Sequence, residues 1–319
     1  MYLPPPCRRV TLEFSSTVRL HYFMQFMRNS SNLNPRWRRF FRDPILMVSL
    51  LVLLLTVLLS LFTPFLPLPD PNFSASDGLT DAGSPLGPNA AHPMGTDLLG
   101  RDLLSRVVWG ARVSLLIGVV ANGLAVLIGL SVGLVAGFFG GLLGTLLMRF
   151  TDLMTAFPVL LLAIALTAIL KPSLWIVALV IALLNWVGLA RVTYAQVLSL
   201  RELEYVTAAK GLGSSSGRIL WKHIAPQLVS IALVWGTLGI STSVLLEATL
   251  SFLGVGVQPP TPSWGGIINE SQSYFTLAPW LVAFPGVAIV LIALAFNLLG
   301  EGLRDTLDPT RKSVLSRGA

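Results

Sequence analysis

Six long apolar runs constrain this chain more than any other feature. They cover residues 45–64, 113–137, 146–170, 174–190, 227–246 and 281–299. A helix rises about 1.5 Å per residue, so roughly twenty apolar residues cross the ~30 Å hydrocarbon core of a bilayer. In the first run, fourteen of twenty residues are Leu, Ile, Val or Phe. Near a helix centre each contributes roughly −0.3 to −0.6 kcal/mol to insertion. Of the 319 residues, 54% are hydrophobic and only 12% charged, whereas soluble domains carry about a quarter charged residues. The expected fold class is an all-α membrane protein with six transmembrane helices.

The charges that remain are placed unevenly. The net charge of +7 would suit nucleic acid, but the placement reads as topology instead. Eight Lys/Arg lie in residues 1–43, followed by Arg149, five from Arg191 to Lys222, and four in the C-terminal tail. With both termini cytoplasmic, all of these face inward, and only Arg101, Arg106, Arg112 and Lys171 face outward. That distribution satisfies the positive-inside rule. It divides the chain into a basic cytoplasmic segment (1–43), a first transmembrane helix (44–64) and an extracytoplasmic loop with an amphipathic helix (65–111). A transmembrane core (112–302) then carries a cytoplasmic loop (201–226), and a cytoplasmic tail follows (303–319). Residues 1–23 are expected to be disordered or a start-site artefact, with Met24 and Met27 as alternative starts. The first apolar run lies too far from the start for a cleaved secretory signal. The single Cys7 excludes an internal disulfide.

Residues 204–226, EYVTAAKGLGSSSGRILWKHIAP, interrupt the apolar pattern. Glu204, Lys210, Arg218 and Lys222 would each cost several kcal/mol in hydrocarbon. Thr207, Ala208, Ala209 and Lys210 favour a helix. Gly211 and Gly213 break it and admit another backbone closely. Ser214, Ser215 and Ser216 offer N-caps for a second short helix. Ile219, Leu220, His223 and Ile224 give that helix an apolar side, and Pro226 marks the next span. Two short helices projecting from a membrane bundle read as a docking knob for a soluble partner.

Other signals concern packing. Gly129, Gly133, Gly137 and Gly141 recur every four residues and make a groove for a neighbouring helix. Asn122 reads as a hydrogen-bonding tie between helices. Asp97 is placed to cap an amphipathic helix running to Trp109, within which Asp102 and Arg106 are i, i+4 neighbours placed to pair. Arg149 and Asp152 are likewise placed to pair at the inner end of the third span, and Pro158 further along is expected to kink that helix. Glu247 falls at the outer end of the fifth span, and Trp264 and Trp280 suit a membrane interface.

Four blocks of the sequence resemble one family: residues 92–115, 204–226, 249–279 and 297–312. The 204–226 stretch resembles the EAA loop of permease subunits of ATP-binding cassette (ABC) importers. The resemblance is to the dipeptide, oligopeptide and nickel branch and to its second, C-type permease. Ala208, Ala209, Gly213, Ile224 and Pro226 match the motif, while Thr207 stands where the family usually has Glu. The resemblance covers about residues 44–312. It implies the type I permease (MetI-like) fold and a coupling helix, formed by this loop, that rests in a cleft of a cytoplasmic ATPase. It also implies a homologous second permease, two ATP-binding subunits that hold ATP and Mg, and an extracytoplasmic substrate-binding protein. Peptides are the favoured cargo and nickel the alternative.

Read without the resemblance, the residues offer no catalytic chemistry. There is no GxxxxGK[ST] phosphate loop and no Cys/His cluster at metal-ligand spacing. His21, His92 and His223 are far apart in sequence. A secondary transporter would need titratable groups near mid-membrane, where the spans offer little beyond Asn122 and Asn185. The expectation is a non-enzymatic transport subunit with no cofactor of its own and no nucleic-acid partner.

Overall fold

The computed structural model describes residues 40–307. The expectation for residues 1–23 and most basic residues of the N-terminal segment lie outside that range, as do Arg311, Lys312 and Arg317. Two units are distinguished, Met1–Asp43 and Pro44–Ala319. Of the first, residues 40–43 form a turn closed by the Asp43 N–H on the Phe40 carbonyl (3.4 Å). The second unit holds ten helices among its described residues: α1 (Pro44–Phe62), α2 (Leu103–Phe139), α3 (Gly141–Thr155), α4 (Val159–Leu170), α5 (Leu174–Arg201), α6 (Glu204–Gly211), α7 (Ser216–Ile219), α8 (Val229–Phe252), α9 (Trp264–Ser271) and α10 (Trp280–Leu307). Between α7 and α8 the chain stays coiled through a π-helical turn (Leu220–Ile224) and a 3-10 turn (Ala225–Leu228).

Five helical segments are long and apolar enough to cross a membrane: α1, α2, α5, the run from α7 through α8, and α10. The sixth expected span is not one kinked helix. It is α3 and α4, bent by 89° at residues 156–158. Pro158 has no N–H to continue the helix, and its ring drives the preceding residue away from helical geometry. Asp152 at the end of α3 pairs more closely with Arg191 of α5 (2.9 Å) than with Arg149 (4.0 Å).

Helix α2 is the axis of the bundle. It packs most extensively on α5, and also on α8, α1 and α3. An ideal Cβ on Gly129 would lie 2.8 Å from the Trp186 carbonyl oxygen. On Gly133 it would lie 2.5 Å from the Ala190 carbonyl oxygen, and on Gly137 2.8 Å from the Val197 Cβ. Gly129, Gly133 and Gly137 therefore fit α5 of the same chain, with backbones close enough for van der Waals attraction to hold a pair that the hydrophobic effect does not hold in lipid. The expected fourth member, Gly141, falls outside the groove because α2 ends at Phe139 and Gly141 begins α3. Gly133→Val should push α2 and α5 apart and lower stability by about 1–3 kcal/mol, the usual range for overpacking. Thermal unfolding in detergent checks this, with Gly123→Val, where the same helix has open space, as the control.

Helix α1 has little burial, only Ser49, Leu53 and Ser60. Its hydroxyls bond within the helix, Ser49 to the Ile45 carbonyl and Thr56 to the Val52 carbonyl, both at 2.8 Å. They therefore present no unsatisfied group to lipid.

The start of α2 differs from the sequence expectation. Asp97 does not begin a separate amphipathic helix. Asp102 is the N-cap, accepting from the Ser105 N–H at 2.8 Å, and residues 103–110 are the first turns of α2 itself. Asp102 also does not pair with Arg106; it faces His92 Nδ1 at 3.0 Å. Arg106 turns instead to Asp97 (2.6 Å) and to Glu270 of α9 (3.0 Å). Arg101 bridges the same two acids at 2.6 and 2.7 Å. Two guanidinium forks and two carboxylates thus close a charge-balanced cluster that ties the 66–102 loop to α9. Trp264, expected at a membrane interface, is buried inside the protein. It is 1% exposed, and its indole N–H donates to the Val107 carbonyl at 3.0 Å. Glu247 likewise lies within α8, which continues to Phe252. It is buried there and accepts from the hydroxyls of Ser114 and Ser251, each at 2.8 Å.

Candidate functional site

The polar stretch 204–226 folds as a bent pair of short helices against the far ends of α2 and α5. Helix α6 forms because Glu204 lies in its first turn and Lys210 in its last, charges that complement the helix dipole. It stops at Gly213, whose φ of +77° belongs to the left-handed region where glycine carries no penalty. Among the described residues, no atom outside their own turn lies within 4 Å of an ideal Cβ on Gly211 or Gly213. The close backbone approach expected at these glycines is therefore not made among the described residues, and Gly213 serves the reversal of direction. Ser215 occupies the N-cap position of α7 without a side-chain cap bond.

One face of the elbow is anchored. Val206, Ile219, Leu220 and Ile224 are buried with Leu134 of α2, Val197 and Leu200 of α5, and Leu228. Ile219, Leu220 and Ile224 are apolar positions read from the sequence, whereas Val206 is not among those; His223 is partly covered, its ring 6.1 Å from that of Tyr205. Lys210 lies over the Phe138 ring at 5.8 Å, a cation–π contact that fixes α6 on α2. The opposite face is open. Thr207, Ala208, Gly211, Gly213, Arg218 and Pro226 are exposed, and Ala209 is half-buried. Two large apolar side chains that the sequence reading passed over stand out from this face: Leu212 at 88% and Trp221 at 74% exposure. Trp221 has a legible signal, since it follows the buried pair Ile219 and Leu220 and so must project from the other side.

The elbow is therefore coupled mechanically to three spans. It is packed on α2 and α5, and it runs without a non-helical break into α8. A push on its open face reaches the bundle through buried contacts rather than through a slack linker.

The fold is thus a helical bundle with several helices of membrane-crossing length and apolarity and an anchored polar elbow at one end. Comparison with known proteins gives the family. The model described as "Binding-protein-dependent transport system inner membrane component" matches residues 129–313. That described as "N-terminal TM domain of oligopeptide transport permease C" matches residues 34–85. The chain is 42% identical over 282 residues to the dipeptide transport system permease protein DppC of Alkalihalophilus pseudofirmus, covering 87% of this chain and 91% of the relative. It is 39% identical over 278 residues to the glutathione transport system permease protein GsiD of Pectobacterium atrosepticum, covering 87% and 91%. With GsiD of Escherichia coli O157:H7 it shares 40% identity over 277 residues, covering 86% and 90%.

The chain belongs to the binding-protein-dependent transport system inner membrane component family. It is a multi-pass inner-membrane permease subunit of an ABC importer, of the dipeptide and oligopeptide branch. It is not itself an enzyme; ATP hydrolysis belongs to its partners. The family works with ATPase, permease and substrate-binding partners.

Proposed function

We propose that this subunit forms half of the path by which di- and oligopeptides enter the cell, and that the 204–226 elbow is its coupling helix. The carrying observation is the two-sidedness of that elbow. Val206, Ile219 and Ile224 bind it to the spans, while Leu212 and Trp221 are offered to a partner. Both termini and the elbow lie in the cytoplasm, as the Lys/Arg distribution requires. There the elbow meets one of two ATP-binding subunits, which hold ATP and Mg. The second permease completes the path, and the distal face carrying α9 and the 66–102 loop receives the substrate-binding protein. Closing of the ATPase pair displaces the elbow, and α2, α5 and α8 follow as a packed unit, switching access from one side of the membrane to the other. Thr207, exposed on α6, replaces a usual acidic contact to the ATPase. The cargo is supported by the printed functions of the relatives, dipeptide and glutathione transport.

The test is reconstitution of the complete complex in proteoliposomes. ATP-dependent accumulation of a labelled di- or tripeptide, requiring the binding protein, is the expected result. Accumulation of nickel without peptide would overturn the cargo. Uptake without the ATPase subunits would overturn the coupling scheme.

A further inference from the structure

Halfway along the spans, far from both the elbow and the distal ion cluster, α2, α5 and α8 enclose an open-sided cavity of about 290 Å³. Its polar wall is Asn122 of α2, Asn185 of α5 and Thr242 of α8, and Trp235 and Leu238 supply apolar sides. Asn122 Nδ2 donates to the Gly236 carbonyl at 2.5 Å, and Asn185 Nδ2 donates to Ser243 Oγ at 3.2 Å. The Thr242 hydroxyl donates to the Gly239 carbonyl at 2.9 Å. The two asparagine bonds tie α2 and α5 to α8, while the Thr242 bond stays within α8; all three use only part of each group's capacity. A side-chain amide has two N–H donors and an oxygen with two lone pairs. Among the described residues the second N–H and the oxygen of each asparagine have no protein partner, and neither amide belongs to the sealed, unsatisfied side-chain atoms of the interior. Both asparagines line the cavity. A side-chain amide with spare donor and acceptor capacity is costly against hydrocarbon at this depth, which favours an open side that meets cargo and water or another protein chain.

We propose that this notch is a cargo-contacting subsite that hydrogen-bonds the peptide backbone as it passes. The proposal rests on the peptide-import reading above and deepens it. The lining chemistry favours a backbone over a side chain. Two spare amides and a hydroxyl oxygen match the alternating N–H and C=O groups of an extended peptide, and no charged residue lines the notch. A charge-free wall does not discriminate among cargo side chains, as a path serving varied peptides requires. The volume is at the low end for ligand sites, which run about 300–1,000 Å³. This chain would thus hold one side of the cargo, and the second permease the other.

The experiment uses the whole reconstituted complex. In a Cys7→Ser, Thr242→Cys double variant, a membrane-permeant thiol reagent should label position 242. A transported dipeptide should slow that labelling, and the same dipeptide methylated on its amide nitrogen should protect less. Asn185→Leu should lower the peptide moved per ATP hydrolysed by about fivefold, the effect of one neutral hydrogen bond, while Asn185→Gln should restore most of it. A position 242 that no reagent reaches in the assembled complex would mean that another chain covers the notch, and the proposal falls. Labelling unaffected by a peptide that the complex demonstrably transports also overturns it, while leaving peptide import intact. If the wild-type complex moves no peptide at all, the underlying reading fails first.

Discussion

Replacing Leu212 and Trp221 together by glutamate is expected to abolish ATP-driven uptake without unfolding the subunit. Both side chains project from the open face of the elbow, 88% and 74% exposed, so their loss leaves no cavity in this chain. Large exposed apolar side chains on an otherwise polar surface mark a binding site, and a central aromatic anchor typically accounts for 2 kcal/mol or more. Two such losses, with acid placed in the cleft they fill, should weaken the elbow's hold on the ATPase by about three orders of magnitude. The measurement is co-purification of the ATPase with the permease, alongside peptide uptake and thermal stability of the isolated subunit. Normal uptake by this variant would remove Leu212 and Trp221 from the coupling contact. Shortening residues 211–216 attacks the same function differently. It leaves the anchor Val206, Ile219, Leu220 and Ile224 in the sequence but removes the reversal at Gly213, so insertion should survive and transport should not. Ile224→Asp provides the contrast. Ile224 is 0% exposed, so this change should act mainly by loosening the elbow from α2 and α5.

The second large effect lies at the opposite end of the bundle. Arg106→Met should destabilise the subunit by about 3–5 kcal/mol, the typical consequence of removing one member of a buried ion pair. Arg106 is 1% exposed and reaches Asp97 and Glu270 at once. Without it, Arg101 alone must balance two carboxylates, of which Asp97 is buried. The damage follows from stranding charge away from water rather than from losing the attraction itself. Arg106→Lys should recover only part of the loss, because an ammonium is a point charge that does not span two acids as the guanidinium fork does. Proteolysis of the 66–102 loop and thermal unfolding in detergent report on this directly. If the cluster fixes α9, Arg106→Met should also weaken capture of the loaded substrate-binding protein, while the elbow still binds the ATPase. Unchanged melting would show that the cluster carries no stability.

The sequence alone determined the material of this protein. Runs of apolar residues about thirty ångströms long admit only helices in lipid, because every backbone N–H and C=O must be satisfied inside its own segment. The same one-dimensional logic located the elbow, because charge and glycine cannot hide in hydrocarbon, and it located the glycine row, because spacing of four marks one helix face. Residue spacing likewise identified Ile219, Leu220 and Ile224 as the anchored side.

Only the tertiary structure decided who meets whom. Asp102 and Arg106 are helical neighbours in sequence, yet the cap requirement of α2 claims Asp102, and Arg106 finds Glu270, more than 160 residues away. Trp264 looked interfacial by residue type, but the packing of α9 on α2 buries it. Pro158 signalled a kink, while the 89° bend that separates α3 from α4 required the surroundings of both segments. The mid-span notch was invisible for the same reason. Asn122, Asn185 and Thr242 belong to three different helices, and a local pattern carries no record of the distant side chains that folding brings to one wall.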